Sequence, residues 1–172
     1  MKTGRFPTGD DPLEHDERGA LAFDTQASRV IASPARAARD TAQWIASAYE
    51  VDAAFDDLDY GRWRGHSIRD IAEAKEAGLA AWITDPHARP HGGESIAMLA
   101  ERVAHVLERL TQSNRRGIVV THAIVVKAAV AHVTQRPLES IFSMDIAPLA
   151  STVLEYDTVW SVSSPAELRA PL

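Results

Sequence analysis

Three short stretches carry side chains suited to handling a phosphate. They are Ser33-Pro34-Ala35-Arg36-Ala37-Ala38-Arg39-Asp40-Thr41-Ala42, Thr121-His122-Ala123 and Pro90-His91-Gly92-Gly93-Glu94-Ser95. The first two follow apolar runs that read as strands, and all three lead into helical patterns. Open α/β sheets bind ligands at such strand-to-helix junctions. A helix N-terminus adds free N–H groups and a positive dipole end, both of which attract anions. A histidine there can donate a hydrogen bond to a phosphate oxygen. A carboxyl beside a phosphate has its neutral form favoured by like-charge repulsion, so it can protonate a leaving oxygen. Together these are parts of a phosphoryl-transfer site. Each also has a plainer reading. Glu94 suits the first turn of any helix, His122 could be a satisfied strand-end histidine, and Arg36 and Arg39 could belong to a solvated helix face. His87, Arg89 and His91 could be polar loop residues.

The elements that would position these residues follow from periodicity. Arg29-Val30-Ile31-Ala32 reads as a buried strand, with Ser33 as N-cap and Pro34 at the first position of a helix running to about Tyr49. Residues 50–66 are irregular. Ser67 with Asp70 marks a second helix start, with Ile68, Ile71, Ala72, Leu79 and Trp82 on its apolar face, ending at Asp85-Pro86. Ile96, Leu99, Val103, Val106, Leu107 and Leu110 recur at helical spacing. Gly117 to Thr121 is a second buried strand, and 123–134 is a helix apolar on nearly every side. Pro137 opens a short helix to about Met144. Thr152–Tyr156 and Val159–Val162 pair as a hairpin across Asp157-Thr158. Residues 1–20, rich in Gly, Pro and acids, read as a loop or disordered tail. Strands alternating with helices predict an α/β fold with a mostly parallel central sheet covered on both faces.

Composition narrows the function classes. The 172 residues suit a single domain over 1–172. There is no cysteine, hence no disulfide frame, thiolate nucleophile or cysteine-ligated metal. The formal charge of −6 argues against nucleic acid as a partner, since Arg62-Trp63-Arg64 is too small a basic patch to offset it. No apolar run approaches the ~20 residues of a membrane span, and the first residues do not read as a signal peptide. The expectation is a cytoplasmic protein with no membrane partner. No His-Glu-x-x-His spacing suggests a metal, and no Gly-x-Gly-x-x-Gly suggests a dinucleotide, so neither metal nor cofactor is expected.

Four motifs in order resemble the histidine phosphatase (phosphoglycerate-mutase-like) superfamily. They are Ala32-Ser33-Pro34 with Thr41-Ala42, then Leu58-Asp59-Tyr60-Gly61-Arg62-Trp63-Arg64-Gly65, then Gly92-Gly93-Glu94-Ser95 with Arg102-Val103, and last Val119-Val120-Thr121-His122. The resemblance covers about Gly4 to Val162. It implies a three-layer α/β/α domain in which one histidine takes the phosphoryl group covalently. An acid protonates the leaving oxygen, and two arginines and a second histidine line the pocket. On that mapping Glu94 is the proton donor and His122 the second pocket histidine. Ser33, Arg36 and Arg39 are the candidate phosphate contacts. Arg62 and His91 stand at the substrate entrance, within a covering insertion over 50–93.

Two departures accompany the resemblance. The family's opening strand ending in Arg-His-Gly does not occur in the chain. The family's second arginine falls on Ala37, with Arg36 one residue early, about 100° round a helix. A missing interior strand would leave an unfilled slot in the sheet, so an altered sheet or a homodimer is expected. The resemblance implies a phosphomonoesterase acting on a small phosphorylated metabolite, with an α-ribazole-phosphate phosphatase as one possible identity. Its nucleophile is expected upstream of Met1, and the chain as it stands is expected to be nearly inactive. The alternative is a degenerate, phosphate-binding pseudo-enzyme.

Overall fold

The structure is a computed structural model that describes residues 4–21, 29–74, 78–113 and 116–164. At its centre lies β1 (Arg29–Ala32), the strand expected from the sequence. It pairs in parallel with β2 (Glu50–Val51) on one edge and β3 (Gly117–Val120) on the other, giving the order β2-β1-β3. Side chains alternate across a strand, and both faces of β1 are covered. Val30 and Ala32 pack with Ala42 of α1 (Arg36–Ile45) and with Ile118 and Val120. Ile31 packs on the opposite face with Phe55, Val106 of α4 (Ile96–Thr111) and Val119. Continuous burial on both faces explains the unbroken apolar run in the sequence.

The largest apolar cluster lies on the α4 side. Ile96, Leu99, Val103 and Leu107 of α4 meet Val125, Ala128, Val130 and Ala131 of α5 (Ala123–Val133). A 3-10 helix, Leu138–Ser143, closes one end through Ile141. The predicted hairpin forms as β4 (Val153–Tyr156) and β5 (Trp160–Ser164), antiparallel, with Leu154 and Trp160 packed on the same core. It is a separate two-stranded sheet. Among the described strands, β3 therefore pairs only with β1.

Several boundaries differ from the sequence reading for physical reasons. Ser33 does not cap α1. The helix begins at Arg36 after Ala35, which has no side-chain acceptor to cap it; the Ser33 hydroxyl takes the N–H of Ala35 itself, and the Arg36 N–H donates to the Gly9 carbonyl at 2.9 Å. The helix stops at Ile45, where Ala46 turns extended and the chain runs back toward β2. β2 is two exposed residues long, too short for a periodic signal, and is held by its register with Ile31 and Ala32. The helix predicted after Ser67 is α2 (Ile68–Glu73), with the Ser67–Asp70 capping box present, followed by α3 (Gly78–Thr84).

The N-terminal segment is the largest correction. Phe6 is 1% exposed, among the rings of Tyr60, Trp63 and Trp82. Its N–H donates to the His66 carbonyl at 3.0 Å, its carbonyl accepts from Gly65 at 2.9 Å, and the Gly4 carbonyl accepts from Ile68 at 2.9 Å. A lone aromatic between Arg5 and Pro7 has no periodicity to announce it; the aromatic nest that receives it forms only in the fold. Phe6→Ala should therefore lower stability by about 3–5 kcal/mol, the usual cost of deleting a buried ring. Denaturant midpoints of the two proteins measure this, and a loss below ~1 kcal/mol would show that the segment is not part of the core.

Candidate functional site

The carboxyl ends of the three parallel strands bring the candidate residues together. β1 runs into Ser33, β3 runs through Thr121 into His122, and the chain leaving β2 forms a short 3-10 turn, Ala53–Phe55, followed by Asp56 and Asp57. His122 sits at the N-cap position of α5 in extended conformation and makes no side-chain cap. Its ring is free to face the other two segments.

The geometry at this junction sets the protonation pattern. The Ser33 hydroxyl donates to Asp56 Oδ1 at 3.1 Å and accepts from the Ala35 N–H at 3.2 Å. It also lies 2.8 Å from His122 Nε2. A hydroxyl has one proton to give. With that proton on the Asp56 carboxylate, His122 Nε2 must be the donor to Ser33. The other ring nitrogen, Nδ1, then faces Asp57 Oδ2 at 3.5 Å. Asp57 Oδ1 is occupied by the Leu58 N–H at 2.8 Å. One proton is thus available to the Asp57–His122 contact, and either partner can hold it.

Burial acts on the acid. The Asp57 side chain is 13% exposed, and desolvation raises its pKa above the ordinary aspartate value, opposed chiefly by the neighbouring His122 charge. Asp56 adds a like charge in the same direction. Asp57 is thus a carboxyl whose neutral form is favoured by burial, facing a histidine, and such a pairing is a candidate general acid.

Arg102 of α4 holds the acids in place. One terminal nitrogen donates to the carbonyls of Ala54 (2.9 Å) and Asp56 (3.0 Å), and the other reaches the Asp57 carbonyl (3.3 Å). The same guanidinium grips Glu94 bidentately, at 2.9 and 2.7 Å. The Glu94 backbone is fixed in turn, its N–H donating to the Asp59 carbonyl at 2.8 Å. The approach of these two loops explains Gly93, where a Cβ would lie 1.9 Å from the Asp59 carbonyl oxygen. It also explains Gly61, with φ +48° and a would-be Cβ 2.2 Å from the His91 carbonyl oxygen.

The residues expected from the sequence divide accordingly. His122 and Ser33 meet at the junction. Ser33 is fully buried with its hydroxyl's donor and both acceptor positions used, so it orients His122 and Asp56 rather than offering itself as an anion contact. Glu94, expected as the proton donor, has both carboxylate oxygens taken by Arg102 and is not among the groups around His122. Arg36 is half exposed and lies 3.8 Å from Asp40, one turn along α1. Arg39 is also exposed, and the hydrogen bonds of Ser33 and His122 named above involve neither arginine. Arg62 is exposed, with its N–H on the His91 carbonyl at 3.0 Å. His91, expected at the substrate entrance, is 1% exposed among Tyr60, Trp63 and Trp82. Its Nδ1 accepts from the Gly93 N–H at 3.0 Å, and burial pushes its pKa down. It braces the Gly93 turn from inside the core. Sequence reasoning gave Asp56 and Asp57 no role, and it quoted Thr121 and Arg102 as motif members without assigning them one. The available signal was a pair of adjacent acids just after a strand end, followed at once by the core residue Leu58.

Residues 18–162 match the sequence profile of the histidine phosphatase superfamily (branch 1). Phosphoserine phosphatase 1 of Hydrogenobacter thermophilus is 28% identical over 106 residues, 58% of this chain and 50% of that protein. The chain thus spans half the length of this relative. Among solved structures, a phosphoserine phosphatase mutant from Entamoeba histolytica in complex with phosphoserine superposes with a TM-score of 0.82 at 17% identity, over 95% of this chain and 88% of that one. A mycobacterial glucosyl-3-phosphoglycerate phosphatase superposes with a TM-score of 0.79 at 22% identity, over 94% and 90%. At these identities the two superpositions establish the shared fold.

The buried acid has a consequence for stability. A carboxyl whose pKa is raised on folding binds more protons in the native state, so stability falls as pH rises from the ordinary aspartate value through the folded value. Asp57→Asn should therefore unfold at a higher denaturant concentration than the parent at pH 7, with the gain disappearing in acid below pH ~3.9. Paired denaturation curves at the two pH values check this; a loss of stability at pH 7 would mean that Asp57 is held as a paired carboxylate.

Proposed function

The chain belongs to the histidine phosphatase superfamily, and on that premise we propose that it serves a phosphomonoesterase site in which Asp57 is the general acid and His122 a phosphate-facing donor. The substrate is a small phosphorylated metabolite. The observation that carries this reading is the Asp57–His122 contact at 3.5 Å with Asp57 shielded from water. A bound phosphate dianion would add like charge beside Asp57 and keep its proton on still more firmly. As the phosphoryl group passes to a nucleophilic histidine, forming a P–N bond while the ester P–O bond breaks, the Asp57 proton passes to the leaving oxygen, which departs as an alcohol. His122, kept protonated at Nε2 by Ser33, can turn the same N–H onto a phosphate oxygen. Glu94 acts at one remove, through Arg102.

The family's nucleophile sits in its Arg-His-Gly motif, and residues 1–172 contain no such motif. The reading therefore requires a histidine contributed from outside these residues. A phosphoenzyme cannot form without it, so residues 1–172 alone should turn over p-nitrophenyl phosphate no faster than their His122→Ala variant. A His122-dependent rate from residues 1–172 would contradict this requirement.

A second reading draws on Ala37 and on the exposure of both Arg36 and Arg39. With Arg102 already engaged by three carbonyls and Glu94, a site to which neither Arg36 nor Arg39 adds its charge stabilises the transition state poorly, and such a protein would bind a phosphorylated ligand without turning it over. Leaving-group dependence separates the two readings in a form of the protein that carries the nucleophile. Asp57→Asn should lower kcat for an alkyl phosphate by about 10²–10⁴, while p-nitrophenyl phosphate, whose leaving group needs little protonation, is largely spared. The same pattern in Glu94→Gln but not in Asp57→Asn would move the acid role to Glu94. Absence of turnover with either ester, alongside phosphate binding, would favour the binding protein.

A further inference from the structure

Four consecutive backbone carbonyls, those of residues 54–57, are each held by a side chain from another element. Arg102 takes Ala54, Asp56 and Asp57 from the α4 side. The Thr121 hydroxyl donates to the Phe55 carbonyl at 2.6 Å. Thr121 stands at the end of β3, immediately before His122. The loop bearing the acid is thus tied to the same backbone that bears the histidine, and braced from behind by a guanidinium that Glu94 orients.

We propose that Thr121 and Arg102 are positioning residues that set the Asp57–His122 contact. Thr121 couples the acid's loop to the histidine's strand, and Arg102 fixes the loop's path. The inference rests on reading Asp57 as the general acid. The groups that bear on the Asp57 carboxyl are His122 at the end of β3, Asp56 and the Leu58 N–H on its own loop, and Arg102 from α4. Two ties join the first of these to the second: the Ser33 hydroxyl bridges His122 and Asp56 through side chains, and Thr121 joins the backbone that bears His122 to the loop at the Phe55 carbonyl. A threonine suits the task because its branched Cβ restricts χ1 at the strand end, holding the hydroxyl toward the loop. Arg102 suits it because a planar guanidinium can serve three carbonyls and a carboxylate together, which a lysine ammonium cannot. The role matters because a misplacement of about 1 Å near reacting groups can lower a rate about 10²-fold.

Thr121→Val removes the hydroxyl while keeping the branched shape, and Thr121→Ser keeps a hydroxyl. The first readout needs no turnover: the ¹⁵N chemical shift of His122 Nδ1 at fixed pH, read by NMR in residues 1–172. Asp57→Asn should move that signal, because the facing carboxyl is lost. Thr121→Val should move it in the same direction, Arg102→Lys likewise, and Thr121→Ser should return it to the parent value. In a form of the protein that carries the nucleophile, Thr121→Val should lower kcat for an alkyl phosphate at least tenfold with KM within twofold, and Thr121→Ser should recover most of the loss. If Asp57→Asn leaves His122 unmoved, the reading of the acid itself fails. If Asp57→Asn moves it and Thr121→Val does not, the positioning role is overturned and the Thr121 hydroxyl is a structural bond only. Where Arg102→Lys fails to fold, the Thr121 pair decides the question.

Discussion

A guanidinium set among three backbone carbonyls and one carboxylate organises the ends of the parallel strands. Arg102 and Glu94 are both largely shielded from water, and a buried ion pair recovers its desolvation cost only when the remaining hydrogen-bonding positions are filled. Here the filling groups are the carbonyls of the loop that carries Asp56 and Asp57. The ion pair and the loop therefore stabilise each other. Removing Glu94 would leave a buried cation, and removing Arg102 would leave a carboxylate and three carbonyls without their partner. The glycines at 61 and 93 serve the same junction, since only bare backbone fits where the Asp59 and His91 carbonyls approach the neighbouring loop.

A second constraint acts on the other side of the junction. Ser33 lies at the end of β1, where the N–H of the serine itself bonds to the Val120 carbonyl at 2.9 Å, continuing the β1–β3 ladder. The register of two strands thus sets the place of the hydroxyl, and the hydroxyl sets the tautomer of His122. Asp57 completes the arrangement from the third strand's exit. The site is a product of parallel pairing: three chain exits at the same end of the sheet deliver Ser33, Asp56 with Asp57, and Thr121 with His122.

Much of this was legible in the sequence, and the residues show why. The strand at 29–32 and the helix at 96–111 were readable because burial on two faces, or on one stripe, leaves a periodic trace. His122 was readable because a polar ring between an apolar strand and an apolar helix has few structural explanations. The partner of His122 was not readable. Glu94 follows the two glycines of what reads as a functional turn, yet Gly93 serves the close approach of the Asp59 carbonyl, and the glutamate serves Arg102. Asp57 has no periodicity and no distinctive neighbour; its burial arises only when β2, two residues long, turns the chain over α4. Phe6 escaped for the same reason, since a single ring in a Gly- and Pro-rich segment leaves no pattern until the aromatic nest is assembled. His91 looked like a polar loop residue because the sequence does not reveal that Tyr60, Trp63 and Trp82 surround it.

The most direct test of this account is the titration of the Asp57 carboxyl itself, followed by ¹³C NMR and assigned with Asp57→Asn. The account predicts a midpoint above the ordinary aspartate value, with a second inflection where His122 titrates. A midpoint at or below the ordinary value, with no inflection shared with His122, would contradict it and return the search for the acid to Glu94.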